Sequence, residues 1–226
     1  MNTTTIVLGT ILIIIIVFML FQDYFTGKTK LEKQQHLLKS SPLAIDSSKL
    51  ASPGAVNFTY TIWVFVNSTN NSNMKIFERN GDTHLYLTPT GTLTAVMGKD
   101  DSSTSINETE TIHITNNFPL QKWVCVTISV NQKIMDAYID GKMVKSVKLS
   151  ESFTVNKDSS ITFGKDVDIY ISNFERVPSP TDPKSAYDKY LAGSGGASLI
   201  STLLGNLNVN LSVLQNNVET SRFALI

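Results

Sequence analysis

Two acidic residues at alternate positions are the closest that this sequence comes to a hydrolytic site. Glu108 and Glu110 flank Thr109 in the run SINETETIHI. Alternate residues of a β-strand point to the same face, so a strand here would place both carboxylates on one side of a sheet. Hydrolysis of a glycosidic bond uses such a pair of carboxylates. A solvated strand face is the simpler interpretation, and we predict no catalytic residues and no enzyme activity.

The histidines and the cysteine show no metal-binding or nucleophilic pattern. His36, His84 and His113 lack the short spacings that are typical of zinc ligands. We interpret His84 and His113 as ordinary strand residues, and we predict no metal site and no cofactor. Cys125 alternates with Trp123 in a Val-rich run, which predicts a small buried hydrophobe. A single cysteine cannot form an internal disulfide, which suits a reducing compartment.

Two polar loops and two tryptophans are the candidate ligand surfaces. The segments Asn67–Asn73 and Lys99–Asn107 are rich in Asn and Ser, and binding residues concentrate on loops that a rigid scaffold holds. Trp63 and Trp123 offer ring faces to a sugar, but both lie among apolar neighbours, so we predict core packing for them. Basic and acidic residues balance at 19 each, which argues against nucleic acid as a partner.

The elements that position these residues are predicted to be short strands between Pro42 and Val177. Both faces of Phe58–Val66 are apolar, which favours a strand buried inside a sandwich. Asp140-Gly141 is the sharpest hairpin signal, because a type I′ turn needs positive φ at both positions. This spacing predicts an all-β antiparallel sandwich. Further strands are predicted at Met74–Glu78, Thr83–Leu87, Leu93–Met97, Thr111–Ile114, Trp123–Val130, Met135–Ile139, Met143–Leu149, Ile161–Phe163 and Asp168–Phe174.

An unbroken apolar run near the N-terminus predicts one transmembrane helix. With its neighbours, the run Ile6–Phe21 supplies about 20 residues, enough to cross a hydrocarbon core about 30 Å thick. A cleaved signal peptide is the alternative, but the run has no basic residue before it. The anchor residues are Ile6, Leu8, Ile11, Ile14, Ile16, Phe18, Leu20 and Phe21.

The flanking charges predict that the bulk of the chain lies on the cytoplasmic side of the membrane. Lys28, Lys30 and Lys33 follow the apolar run, and basic residues favour the cytoplasmic flank of a span. Glycosylation sequons point the other way, since they are used in the secretory lumen, and we interpret them as accidental in a chain rich in Asn, Ser and Thr. They lie at Asn57, Asn67, Asn70, Asn107 and Asn210.

These patterns divide the chain into a membrane anchor (1–24), a stalk (25–42), a sandwich (43–178) and a C-terminal tail (179–226). In the stalk, Leu31, Leu37 and Leu38 are predicted to extend the membrane helix for a few turns. In the tail, Asp182 and Pro183 predict a short helix that stops at Gly193, followed by a glycine hinge. Beyond the hinge we predict a helical segment and one strand. The candidate partner contacts there are Leu203, Leu207, Leu211, Val213 and Phe223.

The stretch FPLQKWVCVTISVNQKIMDAYIDGKMVKSV (Phe118–Val147) resembles the concanavalin A-like jelly-roll family, especially its laminin-G-like domains. The motif residues that carry the resemblance are Trp63, Trp123, Tyr138, Asp140 and Gly141. The resemblance implies a jelly-roll β-sandwich and a carbohydrate-binding role. The glucanases of this family carry a third carboxylate after the glutamate pair, and none follows here. Laminin-G-like relatives also imply calcium, but the polar loop residues Asp100, Asp101, Asn107, Asn80 and Asp82 have no diagnostic pattern, and we prefer simple turn chemistry as their interpretation.

The layout of the chain also resembles that of single-pass virion proteins of large nucleocytoplasmic double-stranded DNA viruses. This resemblance rests on the uncharged anchor before a jelly roll and on the tail Asn210–Ile226. It implies a non-enzymatic, minor capsid-associated component that links an internal virion membrane to the capsid shell, with the membrane and capsid proteins as partners. The alternative is a membrane-anchored, lectin-like protein whose domain lies outside the cell and has a glycan as its partner.

Overall fold

The computed structural model describes residues 10–11, 13–18, 27–31, 33–38, 42–99, 108–150, 155–194, 210–215 and 218–224. Within the N-terminal apolar run, residues 10–11 and 13–18 are helical. Among all the residues just given, no helix has both the length and the apolar character that crossing a membrane requires. Of the predicted anchor residues, Ile6, Leu8, Leu20 and Phe21 lie outside the described part of the chain.

Two antiparallel sheets form the body of the protein. The seven-stranded sheet contains β1 (Thr29–Leu31), β2 (Gln35–His36), β4 (Phe58–Val66), β9 (Trp123–Asn131), β10 (Ile134–Ile139), β11 (Lys142–Lys148) and β13 (Ile169–Val177). The six-stranded sheet contains β3 (Ala44–Ile45), β5 (Met74–Arg79), β6 (Thr83–Leu87), β7 (Leu93–Lys99), β8 (Glu108–Thr115) and β12 (Ile161–Phe163). A short 3-10 helix, Ser47–Lys49, follows β3. The predicted antiparallel β-sandwich is confirmed.

The order of strands places the three nine-residue strands in the middle of the seven-stranded sheet, whereas the longest strand of the six-stranded sheet, β8, lies at its edge. The seven-stranded sheet runs β1-β13-β4-β9-β10-β11, with β2 also beside β13, and the six-stranded sheet runs β3-β12-β5-β6-β7-β8. The strands predicted between Phe58 and Phe174 are all present, with ends that differ by a few residues. β1, β2 and β3 were not predicted, because segments of two or three residues carry no readable period.

The core lies between the two sheets and follows the alternation of side chains along each strand. In β4, Phe58, Ile62 and Val64 are buried in the core cluster, as the period of two requires. Leu85 and Leu87 contribute in the same way from β6. Fully burying each such side chain contributes about 1.5–3 kcal/mol, so the shared apolar faces stabilise the sandwich.

Residues 27–31 and 33–38, which we call the N-terminal strap, belong to the sandwich and not to a helical stalk. Leu31 lies in β1 opposite Phe174, and His36 lies in β2 opposite Tyr170. Leu37 is fully buried, and its backbone N–H donates to the carbonyl of Ile169 at 2.9 Å. The prediction of a helix through Leu31, Leu37 and Leu38 is wrong, because Leu31 extends the sheet edge and Leu37 is buried in the core, while Leu38 remains exposed.

A buried polar cluster ties the two sheets to a surface segment. Arg79 donates to Asp82 at 3.0 Å, and the hydroxyl of Tyr60 donates to the same carboxylate oxygen at 2.7 Å. Arg79 and Arg176 each donate at 2.7 Å to a carbonyl of residues 51–53. Both arginines and Asp82 are fully buried. Asp82 therefore serves the interior and is not available as a calcium ligand.

Helix α1 (Pro183–Leu191) lies where the sequence predicts a helix. Asp182 is its N-cap and accepts from the backbone N–H of Ser185 at 3.0 Å, and Pro183 occupies the first turn. Gly193 follows its end with a φ of +83°. In the tail, β14 (Asn210–Gln215) pairs with β15 (Val218–Ala224) as a separate two-stranded sheet. The single strand predicted for the tail is thus one half of a hairpin.

Candidate functional site

The outer face of the six-stranded sheet carries a polar and aromatic surface, which we call the open face. In the part of the chain that the structure describes, no helix or strand packs across it. The alternate residues of each strand point inward to the core, so these side chains point outward. The open face consists of Lys75, Glu78, His84, Tyr86, Thr94, Val96, Thr111 and His113.

Tyr86 is at the centre of the open face between two histidines. Its ring centroid lies 5.2 Å from that of His84, on the same strand. The neighbouring strand places Thr94 opposite Tyr86, and His113 lies opposite Thr94 on the strand after that. The hydroxyl of Thr94 lies 3.2 Å from Nδ1 of His113. These contacts fix an aromatic ring and two imidazoles on one surface.

A cavity of about 170 Å³ opens beside His84, at the turn between β5 and β6. Its walls contain charged, amide and imidazole side chains. They also contain the backbone of two glycines, which have no side chain to shield it. They include Glu78, Asn80, Gly81, His84, Val96 and Gly98. Burial lowers the pKa of His84, with Glu78 acting in the opposite direction. A neutral imidazole here offers one donor and one acceptor.

The corresponding face of the seven-stranded sheet is covered across its middle by helix α1. Tyr190 stacks on Trp63 with ring centroids 5.8 Å apart. Lys189 forms an ion pair with Glu175 at 2.7 Å. An ideal Cβ on Gly141 would lie 2.9 Å from the Cα of Tyr187, so α1 sits directly on the β10–β11 turn. The two outer faces therefore differ, since one is covered and the other is open.

The glutamate pair does not form a site. Glu110 lies opposite the core residue Met97, on the side of β8 that faces away from the open face. Its carboxylate accepts from the backbone N–H of Ser150 at 2.9 Å. The side chain of Glu108 lies outside the described part of the chain. Among the residues described, no group of three or more His, Cys, Asp and Glu side chains could hold a metal ion.

The predicted motif residues have structural positions. Asp140 and Gly141 have φ angles of +49° and +74°, which confirms the predicted hairpin turn. Asp140 also accepts from the backbone N–H of Cys125 at 2.9 Å. Cys125 is buried as predicted, and burial raises the pKa of its thiol to about 12. Tyr138 is buried beside this turn, with no hydrogen-bond partner for its hydroxyl among the described residues.

The tryptophans are not in the core between the sheets. Trp63 is buried, but it lies beneath α1 on the outer face, and Trp123 is half-buried on the same face. Loop 67–73 is exposed throughout, whereas residues 100–107 lie outside the described part of the chain. The predicted tail contacts Leu203 and Leu207 also lie outside it. The last three predicted contacts fall in the terminal hairpin, with Leu211 opposite Phe223 and Val213 opposite Ser221.

A sequence model of the concanavalin A-like lectin/glucanase superfamily, in its laminin-G form, matches residues 39–175. The chain therefore belongs to this superfamily. No curated protein matches the chain.

The chain is similar in fold to solved toxin binding domains at low sequence identity. The binding domain of botulinum neurotoxin DC, solved with rat synaptotagmin II, is 16% identical with a TM-score of 0.55, and the match covers 73% of this chain and 46% of that one. The binding domain of Paraclostridial mosquitocidal protein 1 is 15% identical with a TM-score of 0.56, covering 73% and 45%.

A botulinum neurotoxin type C structure, described as dependent on two ganglioside molecules for cell entry, is 19% identical with a TM-score of 0.52, covering 73% and 46%. The chain thus spans less than half the length of these proteins. At this level of identity the similarity shows the fold alone. What those proteins bind is a property of those proteins.

Sequence reasoning missed the open face as a unit. Tyr86 and His84 alternate with Leu85 and Leu87 in THLYL, and this alternation was the available signal for an outward pair. The pairing of Tyr86 with Thr94 and His113 depends on strand register across two loops. Register of that kind is not encoded in the period of a single strand.

Proposed function

We propose that this protein is a non-enzymatic, lectin-like binding protein that holds carbohydrate on its open face. The observation that carries the proposal is the contrast between the two outer faces. Helix α1 covers one of them, and the other presents Tyr86 with His84 and His113 to solvent. Membership of a superfamily of lectins and glucanases supports the same class of ligand.

The chemistry of the open face suits a sugar. An aromatic ring provides apolar area for the C–H face of a pyranose, and a few placed polar groups fix its orientation. Tyr86 supplies the ring, and neutral His84 and the exposed His113, whose Nδ1 contacts the buried Thr94, supply donors and acceptors for hydroxyl groups. The cavity beside His84 would accept a substituent of the bound sugar. Hydrolysis is not part of the proposal, because Glu110 points away from this face.

Binding to an array of glycans, with the full-length protein in detergent micelles, tests this proposal. Tyr86→Ala should reduce binding at least tenfold by removing the stacking surface, while Tyr187→Ala should leave it unchanged. Tyr187 is the matched control because it is an aromatic residue exposed on the opposite side, on α1. The proposal would be refuted if the wild type and both variants bind equally, or if no glycan on the array binds.

We also propose that the protein is anchored in a membrane by its N-terminal apolar run, with the sandwich on the cytoplasmic side. The run itself, the three lysines that follow it and the single cysteine support this arrangement. Protease protection in sealed vesicles tests the orientation. Cleavage of the sandwich by external protease in inside-out vesicles is the expected result, and glycosylated Asn67 or Asn70 would contradict it.

A second candidate function is a minor virion component that links an internal membrane to a capsid shell. The observation that favours it is the strap, which joins the sandwich directly to the sequence after the apolar run. β4 has nine residues, so the sandwich is a rigid spacer about 30 Å long. Purified particles stripped of lipid by detergent test this function. The chain should remain with the capsid proteins, and its loss with the lipid fraction would contradict a linking role.

A further inference from the structure

Four aromatic side chains form a continuous row on the seven-stranded sheet, outside the area that α1 covers. We call His36, Tyr170, Phe65 and Trp123 the aromatic row. The four residues occupy adjacent register positions on β2, β13, β4 and β9. All four are half-buried, so each keeps part of its ring at the surface.

The rings of the row contact one another along its whole length. His36 stacks on Tyr170 with centroids 3.9 Å apart, and Tyr170 meets Phe65 edge to face at 6.0 Å. Phe65 lies 5.6 Å from Trp123. Neighbouring strands are about 4.8 Å apart, so the row spans about 14 Å. A surface of this length can contact several units of an extended ligand at once.

A loop without charged side chains borders the aromatic row. Residues 67–73 have the sequence NSTNNSN, and all seven are exposed. The loop is fixed to the row through Asp168. This carboxylate contacts Nε2 of His36 at 2.9 Å and accepts from Asn67 at 2.7 Å and from Ser68 at 2.8 Å. The amides and hydroxyls of the loop are therefore held beside the rings at one end of the sandwich.

We propose that the aromatic row and loop 67–73 together form a second binding site, which takes a neutral oligosaccharide. The rings provide apolar area for the C–H faces of sugar units, and the Asn and Ser side chains provide adaptable hydrogen bonds to their hydroxyls. The site is separate from the open face, and it does not depend on that face to bind.

The charges around the site argue for a neutral ligand. The carboxylate of Asp168 is already shared among three partners, and Lys122 beside the row pairs with Asp140 at 3.2 Å. These two charged groups of the site therefore already have partners within the protein, which favours a ligand without charge. A protein partner is disfavoured, because a surface this narrow falls short of the roughly 800 Å² that each partner buries in a stable interface.

Fluorescence titration of the full chain in detergent tests the site, in a Trp63→Phe background in which Trp123 is the remaining tryptophan. The probes are cellopentaose, laminaripentaose, maltopentaose and chitopentaose, with sialyllactose and heparin as charged comparisons. At least one neutral probe should change the emission of Trp123 with a saturable curve. Asn71→Ala, at an exposed loop position, should weaken that binding several-fold, and Tyr86→Ala on the open face should leave it unchanged.

Three results would overturn the proposal. One is that no neutral probe changes the fluorescence while the protein remains folded by circular dichroism. Another is that only the charged probes bind. The third is that Tyr86→Ala abolishes the signal, which would assign the binding to the open face. If Tyr86→Ala loses binding on the glycan array but still shows the saturable change in Trp123 emission, the result supports a second site that is separate from the open face.

Discussion

Replacing Gly141 by alanine should detach helix α1 from the seven-stranded sheet. Gly141 has a φ of +74°, and a left-handed conformation costs a non-glycine residue about 1–2 kcal/mol. A Cβ at this position would also lie 2.9 Å from the Cα of Tyr187 and 3.1 Å from the Cβ of Tyr190. The nearest of these atoms is main chain, which cannot rotate away, and overpacking of this kind costs about 1–3 kcal/mol. The expected loss of unfolding free energy is therefore about 2–5 kcal/mol.

Gly91→Ala is the matched control for this substitution. Gly91 has a φ of +81°, and a Cβ there would meet no atom within 4 Å. It should show the conformational cost of about 1–2 kcal/mol alone. Urea denaturation followed by circular dichroism measures both values on the same protein. The difference between the two variants isolates the contact between the turn and α1.

A second readout follows the position of the helix itself. Trp63 is 7% exposed beneath Tyr190, so displacement of α1 should shift its emission to the red and increase its quenching by acrylamide. A Trp123→Phe background removes the second tryptophan. Equal stability of the Gly141 and Gly91 alanine variants, with unchanged Trp63 emission, would refute the close approach of α1 to the turn.

Three further predictions concern the interior. Asp82→Asn should lower the unfolding free energy by about 3 kcal/mol or more, measured by urea denaturation, because it leaves the buried charge of Arg79 with backbone carbonyls but without its carboxylate. A change below about 1 kcal/mol would contradict a buried ion pair. Leu37→Ala should cost about 2–5 kcal/mol in the same assay and Leu38→Ala less than about 0.5, and equal effects would contradict a strap that is part of the core.

The third concerns Cys125, whose thiol pKa rises from 9.0 to about 12 on folding. The folded state keeps a proton that the unfolded state loses in this window, so stability falls as pH rises above about 9, by about 1.4 kcal/mol per pH unit. Cys125→Ala should remove this part of the pH dependence of stability. If the unfolding free energies of the wild type and the variant fall equally steeply with pH above about 9, the prediction is contradicted.

The body of the fold was predictable because its strands are long and alternate clearly. Phe58–Val66 and Thr83–Leu87 match their predicted bounds, and Asp182 caps α1 as the sequence indicates. The strap was not predictable, since strands of two and three residues carry no period that distinguishes them from a helix. Only the exposed edge of β13 decides between the two, and that edge is created by the rest of the sheet.

The candidate sites were less accessible to sequence reasoning for a related reason. Trp123 and Phe65 each appear as one apolar residue within a buried strand, and nothing local indicates that both face outward. Their contact depends on the register between β4 and β9, whose sequences lie far apart. Loop 67–73, by contrast, was predicted from its polar composition as a candidate ligand surface, with solvent-exposed decoration as the equal alternative, and its role as a ligand surface stays a prediction.

The geometry of the strap relates the proposed anchor to the proposed second site. Thr29 pairs with Arg176 near the beginning of β4, whereas His36 pairs with Tyr170 near its end. A membrane anchor before the strap would therefore join the sandwich at the end opposite to loop 67–73. The aromatic row would then lie about 17 Å farther from the bilayer than the point where the strap enters the sheet, because five residues of β4 separate the two levels. A site at that end faces partners beyond the membrane surface, which both the lectin and the virion proposals require.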